Sequence, residues 1–294
     1  MADQLTQGKV EANGLEIAYL EAGSPDGPLA LCLHGFPDSA WTWNQLMPEL
    51  ASAGYHAVAP WLRGYAPTAI PADGRYQTGA LVRDAISLHQ VLGGRDDAVI
   101  IGHDYGAFAT YGAAALAPDR FRRVVVEAIP PAEALISSFF TFAQLKRSWY
   151  IFFFQNAAAE GVVEMDDLAL IDGLWADWSP GLDSSFYREK VKEALRPPGR
   201  LAAAITYYRA ILDPALQVAE LADEQAATVA PTPQPTLYLH GRDCGCLGAE
   251  FVDDGVLKSM GPGSEYDVIE EAGHFVHLDR PEYVNNRIVE FLSR

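Results

Sequence analysis

A chain of 294 residues is long enough to bury a sizeable apolar core, either as one large domain or as one domain carrying an insertion. At 49% hydrophobic and 20% charged residues it is too apolar to be disordered. Its 39 acidic and 21 basic side chains leave a formal charge of −18, which argues against nucleic acid or an anionic membrane as the main partner, since both reward clustered Lys and Arg. The 3 cysteines cannot form a fully paired disulfide framework, so a reducing cytoplasm is the expected setting. The first residues lack the basic-then-apolar pattern of a secretory leader, and the densest apolar run, Ile151-Phe152-Phe153-Phe154, falls far short of the roughly 20 residues a membrane helix needs. A soluble intracellular protein with no membrane span is expected.

Along the chain, short aliphatic runs at 15–21, 29–34, 56–60, 97–102 and 123–128 alternate with helical patterns at 78–92 and 105–117. Further runs at 236–240 and 266–270 precede a last helix at 281–292. This alternation predicts an α/β protein built on a mostly parallel twisted sheet, whose strands read as nearly continuous apolar runs because helices cover both faces. The pattern fails between about 130 and 230, a helical stretch rich in aromatics that ends in Pro231, Pro233 and Pro235, a stiff connector back to a strand. The expected organisation is therefore a core over 1–130, a helical cap or lid over 131–230, and the second part of the core over 231–294.

The informative motif is Gly102-His103-Asp104-Tyr105-Gly106, between an apolar strand and a helix. Glycines two residues either side of a central residue suit a sharp strand-to-helix turn that lifts the central side chain above the sheet. The usual occupant is Ser; here it is Asp104. After an earlier strand, His34-Gly35-Phe36-Pro37 can offer the Phe36 amide to an oxyanion, with the Tyr105 amide as its partner. Gly241-Arg242-Asp243 follows one late strand, and Glu271-Ala272-Gly273-His274-Phe275 follows the next. Together these place nucleophile, acid and histidine in chain order at C-terminal strand ends, where α/β sheets build their sites. His277 is the alternative base and Glu127, at the end of another strand, the alternative acid. His240, Cys244 and Cys246 have poor zinc spacing without a second Cys pair, and no glycine-rich phosphate loop is present, so neither metal nor cofactor is expected.

His-Gly-Phe-Pro, Gly-His-Asp-x-Gly and Gly-His-x-x-x-x-Asp-x-Pro, in this spacing, resemble the α/β-hydrolase-fold epoxide hydrolases, and the resemblance runs from about Val10 to the C-terminus. It implies the α/β-hydrolase fold with an inserted helical cap. It also implies a carboxylate nucleophile, Asp104, that opens an epoxide through a covalent alkyl ester, which His274, oriented by Asp243, then hydrolyses. Epoxide hydrolases of this kind hold the epoxide oxygen with two cap tyrosines. Tyr150 matches one, five residues before Gln155, and Tyr208, directly before Arg209, matches the other, with Tyr207 as an alternative. Tyr105 stands where a Trp is common, and the loop from Pro60 to Pro67 departs from the family's Asp-x-x-Gly-x-Gly pattern.

The resemblance therefore implies an epoxide hydrolase, acting on ether bonds, that converts a neutral lipophilic epoxide and water to a vicinal diol. Trp149, Phe153, Phe36 and Tyr105 are the expected substrate-binding side chains. A haloalkane dehalogenase of the same fold shares the Asp nucleophile, and a non-catalytic receptor reusing the fold is the reading from another functional class. A homodimer is left open.

Overall fold

The computed structural model describes residues 5–294, and in it the apolar runs become an eight-stranded sheet. The strands are β1 (Thr6–Ala12), β2 (Leu15–Ala22), β3 (Leu29–Leu33), β4 (His56–Pro60), β5 (Ala98–His103), β6 (Phe121–Glu127), β7 (Thr236–Gly241) and β8 (Glu265–Ile269). Their order across the sheet is β1-β2-β4-β3-β5-β6-β7-β8. The pairs β1–β2 and β2–β4 are antiparallel and all later pairs are parallel. Every residue of β3, β4, β5 and β7 is buried, which is why these strands read as unbroken apolar runs.

β1 was not anticipated. It is an edge strand of mostly exposed polar residues, so it carries no apolar run. Its one legible signal is Asn13-Gly14, both at positive φ, which turns the chain into the Ala12–Leu15 pairing of a two-residue hairpin.

Between β6 and β7 the described residues form helices and no strand of the sheet, from Ala132–Phe139 through Trp149–Phe153, Ala159–Trp178 and Arg200–Leu212 to Ala222–Ala227. The last of these leans on the core: the Gly79 amide, in the helix Thr78–Val91, donates to Gln225 Oε1 at 2.9 Å. The loop after β4 is pinned by a buried fork, Arg63 Nε and Nη2 each donating to Asp84 at 2.7 Å. No helix among the described residues is long and apolar enough to cross a membrane.

The turn from β5 into the helix Tyr105–Leu116 positions everything that follows. Asp104 has φ 50° and ψ −118°, a conformation that costs a non-glycine residue about 1–3 kcal/mol. The helix passes so close to the end of β3 that a Cβ on Gly106 would lie 2.2 Å from the Leu33 carbonyl oxygen. One on Gly35 would lie 2.3 Å from the Asp104 Cβ. Glycine at these positions is thus a requirement of close approach. Gly106→Ala should lower stability by about 2 kcal/mol or more through overpacking, although Ala is the better helix former by about 1 kcal/mol. Urea unfolding checks this, and an unchanged or raised midpoint would refute the close-approach argument.

Candidate active site

Asp104 directly follows β5, with its side chain raised above the sheet and buried. The Phe36 amide, from the turn after β3, donates to Asp104 Oδ1 at 2.9 Å. That turn is held by His34, whose Nδ1 bonds the Gly35 carbonyl at 2.8 Å and whose Nε2 accepts from the Leu62 amide at 3.1 Å. Burial pushes the Asp104 carboxyl up to about 6, and the Phe36 and Tyr105 amides pull against that rise. One backbone donor thus already meets the carboxylate, and both sequence-expected oxyanion residues lie beside Asp104.

His274 lies in the loop after β8, with Nε2 3.6 Å from Asp104 Oδ2. The helical insertion holds this loop. The Trp178 carbonyl accepts from the His274 amide at 2.8 Å, and Ser179 Oγ accepts from the Phe275 amide at 3.0 Å. Asp279 closes the loop by accepting from Ser179 Oγ at 2.8 Å and from the Gly273 amide at 2.9 Å. This explains the Asp five residues after the histidine: it is a loop brace. Burial, with His240 and His277 nearby, lowers the His274 pKa well below the ordinary histidine value, so the ring is neutral.

The expected acid is not where the sequence reading placed it. Asp243 is exposed, and no hydrogen bond joins its carboxylate to His274 among the described residues. The atom facing His274 Nδ1 is Cys244 Sγ, at 3.5 Å. The Asp243 amide donates to the Ala272 carbonyl at 2.9 Å and the Cys244 amide to the Gly241 carbonyl at 3.2 Å. In this tight turn the side chain of 243 goes to solvent and that of 244 inward.

The alternatives weighed from sequence form a separate buried cluster. His277 Nδ1 meets Glu127 Oε2 at 2.5 Å and its Nε2 meets Thr42 Oγ1 at 2.6 Å. Burial lowers the His277 pKa, but the charge and hydrogen bond of Glu127 outweigh it and the net shift is upward. His277 is therefore committed to Glu127, and neither contacts Asp104. His103 bridges the two groups, bonding the His274 carbonyl through Nε2 at 3.0 Å, with Nδ1 3.7 Å from Asp38.

Above Asp104 is a cavity of about 320 Å³ whose wall includes Tyr105, Tyr150, Tyr208, Phe108, Ile129, Leu135, Phe139, Ile151 and Leu247. Tyr150 and Tyr208 come together there, with ring centroids 5.4 Å apart. The Tyr150 hydroxyl is 3.4 Å from Cys246 Sγ, and among the described residues the Tyr208 hydroxyl has no partner. Burial raises both phenols well above the ordinary tyrosine value, with added effects of Tyr150 on Tyr208 and of Cys246 on Tyr150, so both remain O–H donors. Tyr207, the alternative, instead donates to the Arg63 carbonyl at 2.6 Å.

Of the four expected substrate-binding side chains only Tyr105 lines the cavity, and the other three need correction. Trp149 is 42% exposed and, like Phe153, does not line the cavity. The short helix Trp149–Phe153 turns Tyr150 and Ile151 inward, and those two form the wall. Phe36 contributes its amide, while its ring packs behind Tyr208 at 5.1 Å.

Asp104, Cys246 and His274 bring one potential ligand atom each to within 4.8 Å of one another. His240 does not join them: its nitrogens bond the Tyr238 hydroxyl at 2.7 Å and the Leu247 carbonyl at 3.0 Å. The arrangement combines a carboxylate with one oxygen held by the Phe36 amide, the neighbouring Tyr105 amide, a neutral imidazole and two phenols around an apolar space. Such a set can perform nucleophilic displacement followed by hydrolysis.

Comparison with known proteins gives the same lineage. The chain is 26% identical over 288 residues to the AB hydrolase superfamily protein YfhM of Bacillus subtilis, covering 97% of this chain and 96% of that protein. It is 29% identical over 324 residues to Epoxide hydrolase A of Mycobacterium tuberculosis, covering 98% and 97% of the two chains. The crystal structure of the epoxide hydrolase VrEH1 from Vigna radiata superposes with a TM-score of 0.81 at 25% identity, covering 100% of this chain and 99% of that one. Residues 30–287 match the Alpha/beta hydrolase family, so the elbow, the loop histidine and the eight-stranded sheet belong to a hydrolase of that family, one with epoxide hydrolases among its relatives.

Proposed function

We propose that the protein opens a neutral, lipophilic epoxide to a vicinal diol through an alkyl ester on Asp104. The observation that carries this reading is the convergence of one carboxylate and two phenol donors on a single apolar cavity. Asp104 Oδ1 is engaged by the Phe36 amide, which leaves Oδ2 to attack an epoxide carbon. As the C–O bond of the epoxide breaks, its electron pair stays on the ring oxygen, which takes a proton from Tyr150 or Tyr208. A halide leaving group would need no such proton donor, so paired phenols favour the epoxide over the haloalkane.

In the second half, water adds to Asp104 Cγ while giving a proton to His274 Nε2. Negative charge builds on Oδ1, where the Phe36 amide already sits, and the Tyr105 amide is adjacent. Collapse expels the alkyl oxygen, which takes the proton from His274. The proton left on the regenerated Asp104 carboxyl returns to the tyrosinate. One oxygen of the diol thus comes from Asp104, and the water oxygen remains on the enzyme.

A panel of aryl, terminal alkyl and internal epoxides tests this. After exposure, His274→Ala should retain the mass of enzyme plus one substrate, and Asp104→Asn should retain none. A single turnover of the wild type in ¹⁸O-labelled water should place the label in the Asp104 peptide and not in the diol. No adduct and no diol across the panel, with halide released from haloalkanes, would overturn the reading in favour of a dehalogenase.

Tyr150→Phe and Tyr208→Phe should each slow adduct formation, by about 10²–10⁴-fold where the lost group is the general acid. Tyr207→Phe, which loses only a bond to the Arg63 carbonyl, should leave adduct formation nearly unchanged. Stopped adduct assays on the His274→Ala background distinguish these outcomes.

The pH dependence follows from the Asp104 carboxyl, which must be ionised to attack and whose pKa is raised to about 6. The rate of adduct formation in His274→Ala should therefore rise with pH through about 6 and level off above it. A rate already level at pH 5 would place the nucleophile's pKa in the ordinary carboxylate range.

A further inference from the structure

We infer that Cys244 is the residue that positions His274, and that it leaves the imidazole resting with its proton on Nε2, which slows hydrolysis of the ester. This rests on the hydrolase reading above and extends it to the resting state of the base.

A base that takes a proton from water through Nε2 needs its other nitrogen, Nδ1, to carry the ring proton. That tautomer is held by an acceptor at Nδ1, ordinarily a carboxylate. Here the group at Nδ1 is Cys244 Sγ, buried, at 3.5 Å. Burial pushes the thiol up to about 12, so at neutral pH it is S–H and not thiolate. Its sulfur already accepts from the Leu247 amide at 3.4 Å, which leaves its proton as the part free to interact. The nearest acceptor for that proton is Nδ1, and an Nδ1 that accepts puts the ring proton on Nε2.

The other side of the ring favours the same tautomer. Among the described residues Nε2 has no hydrogen-bond partner, but it lies 3.6 Å from Asp104 Oδ2, so a proton there faces a carboxylate. This arrangement does not hinder the first half, in which His274 transfers nothing. It does hinder the second, because Nε2–H cannot accept a proton until the tautomer changes. Alkylation of Asp104 removes the negative charge facing Nε2 and so weakens half of the bias. Turnover is slowed by this arrangement and not abolished. No other buried group takes over, since Glu127 is committed to His277 at 2.5 Å and Asp243 is exposed.

The wild type and Cys244→Asp are compared by two measurements. The first is the ¹⁵N NMR spectrum of the histidine side chains without substrate, with His274 assigned by its loss in His274→Gln. The wild type should have a protonated Nε2 and a pyridine-like Nδ1, Cys244→Asp should reverse them, and Asp243→Asn should leave them as in the wild type. The second is mass spectrometry during turnover of an aryl epoxide. Wild-type enzyme should accumulate as the ester, whereas Cys244→Asp should hold little ester and release diol faster, by about 10²-fold or more if a general base is restored. KM should fall together with kcat in the wild type, as expected when a late step limits turnover, and a purely structural role for Cys244 would not produce that split.

A wild-type His274 already protonated on Nδ1 would overturn the inference whatever the turnover. So would a wild type that forms diol without accumulating ester and at the rate of Cys244→Asp. Should Cys244→Asp fail to fold, the wild-type tautomer and the wild-type ester fraction still decide the matter. Failure of both forms to react with any epoxide would instead overturn the hydrolase reading, and the NMR result would then stand or fall by itself.

Discussion

The hydrogen bond from the Phe36 amide to Asp104 Oδ1 joins the ends of two parallel strands into one site. It distinguishes two otherwise equivalent carboxylate oxygens. In the proposed reaction the oxygen that accepts it is held where negative charge later builds, and the other is left to react. The close approach it needs is possible because Gly35 and Gly106 have no side chains at the contact between the turn after β3 and the elbow after β5. A strained backbone at Asp104 is the cost of this arrangement, and the fully buried strands on either side hold the residue in place. Backbone groups carried on a rigid sheet need no reorganisation when charge develops, which is why such donors are effective in a buried site.

A second tie runs between the helical insertion and the base. The end of the helix Ala159–Trp178 donates no side chain to the chemistry, yet its Trp178 carbonyl receives both the His274 amide at 2.8 Å and the Gly245 amide at 3.2 Å. Trp175 stacks on Phe275 with centroids 3.6 Å apart, and Ser179 engages Asp279 from the same segment. The loops carrying His274 and Cys244 are therefore both clamped to one helix end. A displacement of that helix would move the imidazole and its thiol neighbour together, preserving their contact while changing their distance from Asp104. The insertion that roofs the cavity also sets the position of the base.

Much of this was legible in the sequence, for a definite reason. Parallel strands buried on both faces must be apolar throughout, and the elbow and its flanking glycines are dictated by local geometry, so both leave short contiguous signatures. β1 left none because its polar residues face solvent, apart from the Asn13-Gly14 turn. The errors at Asp243 and at Trp149 share a cause. In the turn after β7, Arg242 and Asp243 both face solvent before Cys244 turns inward, and the backbone bond from Asp243 to Ala272 fixes where that change falls. In the helix Trp149–Phe153, nearly every residue is aromatic, so no polar contrast reveals which side is buried. Residue type marked the segment in both cases, but orientation depended on contacts made by residues far away in the chain. The tyrosine pair escaped this ambiguity because the resemblance supplied particular positions and not merely a composition.

The charge of −18 takes on a narrower meaning beside the cavity. Among the described residues that line it, Asp104 is the one carboxylate, and none is Lys, Arg or His. A second anion about 5 Å from Asp104 would meet a repulsion of about 3 kcal/mol at an effective dielectric of about 20, with no local cation to offset it. Moreover, an anion would raise further the pKa of a nucleophile that burial has already lifted to about 6, removing it from its reactive form near neutral pH. A neutral substrate avoids both penalties. Under the proposed mechanism, apolar surface around a single carboxylate thus selects the substrate twice, first by excluding charge from the cavity and then by keeping Asp104 ionised once the cavity is filled.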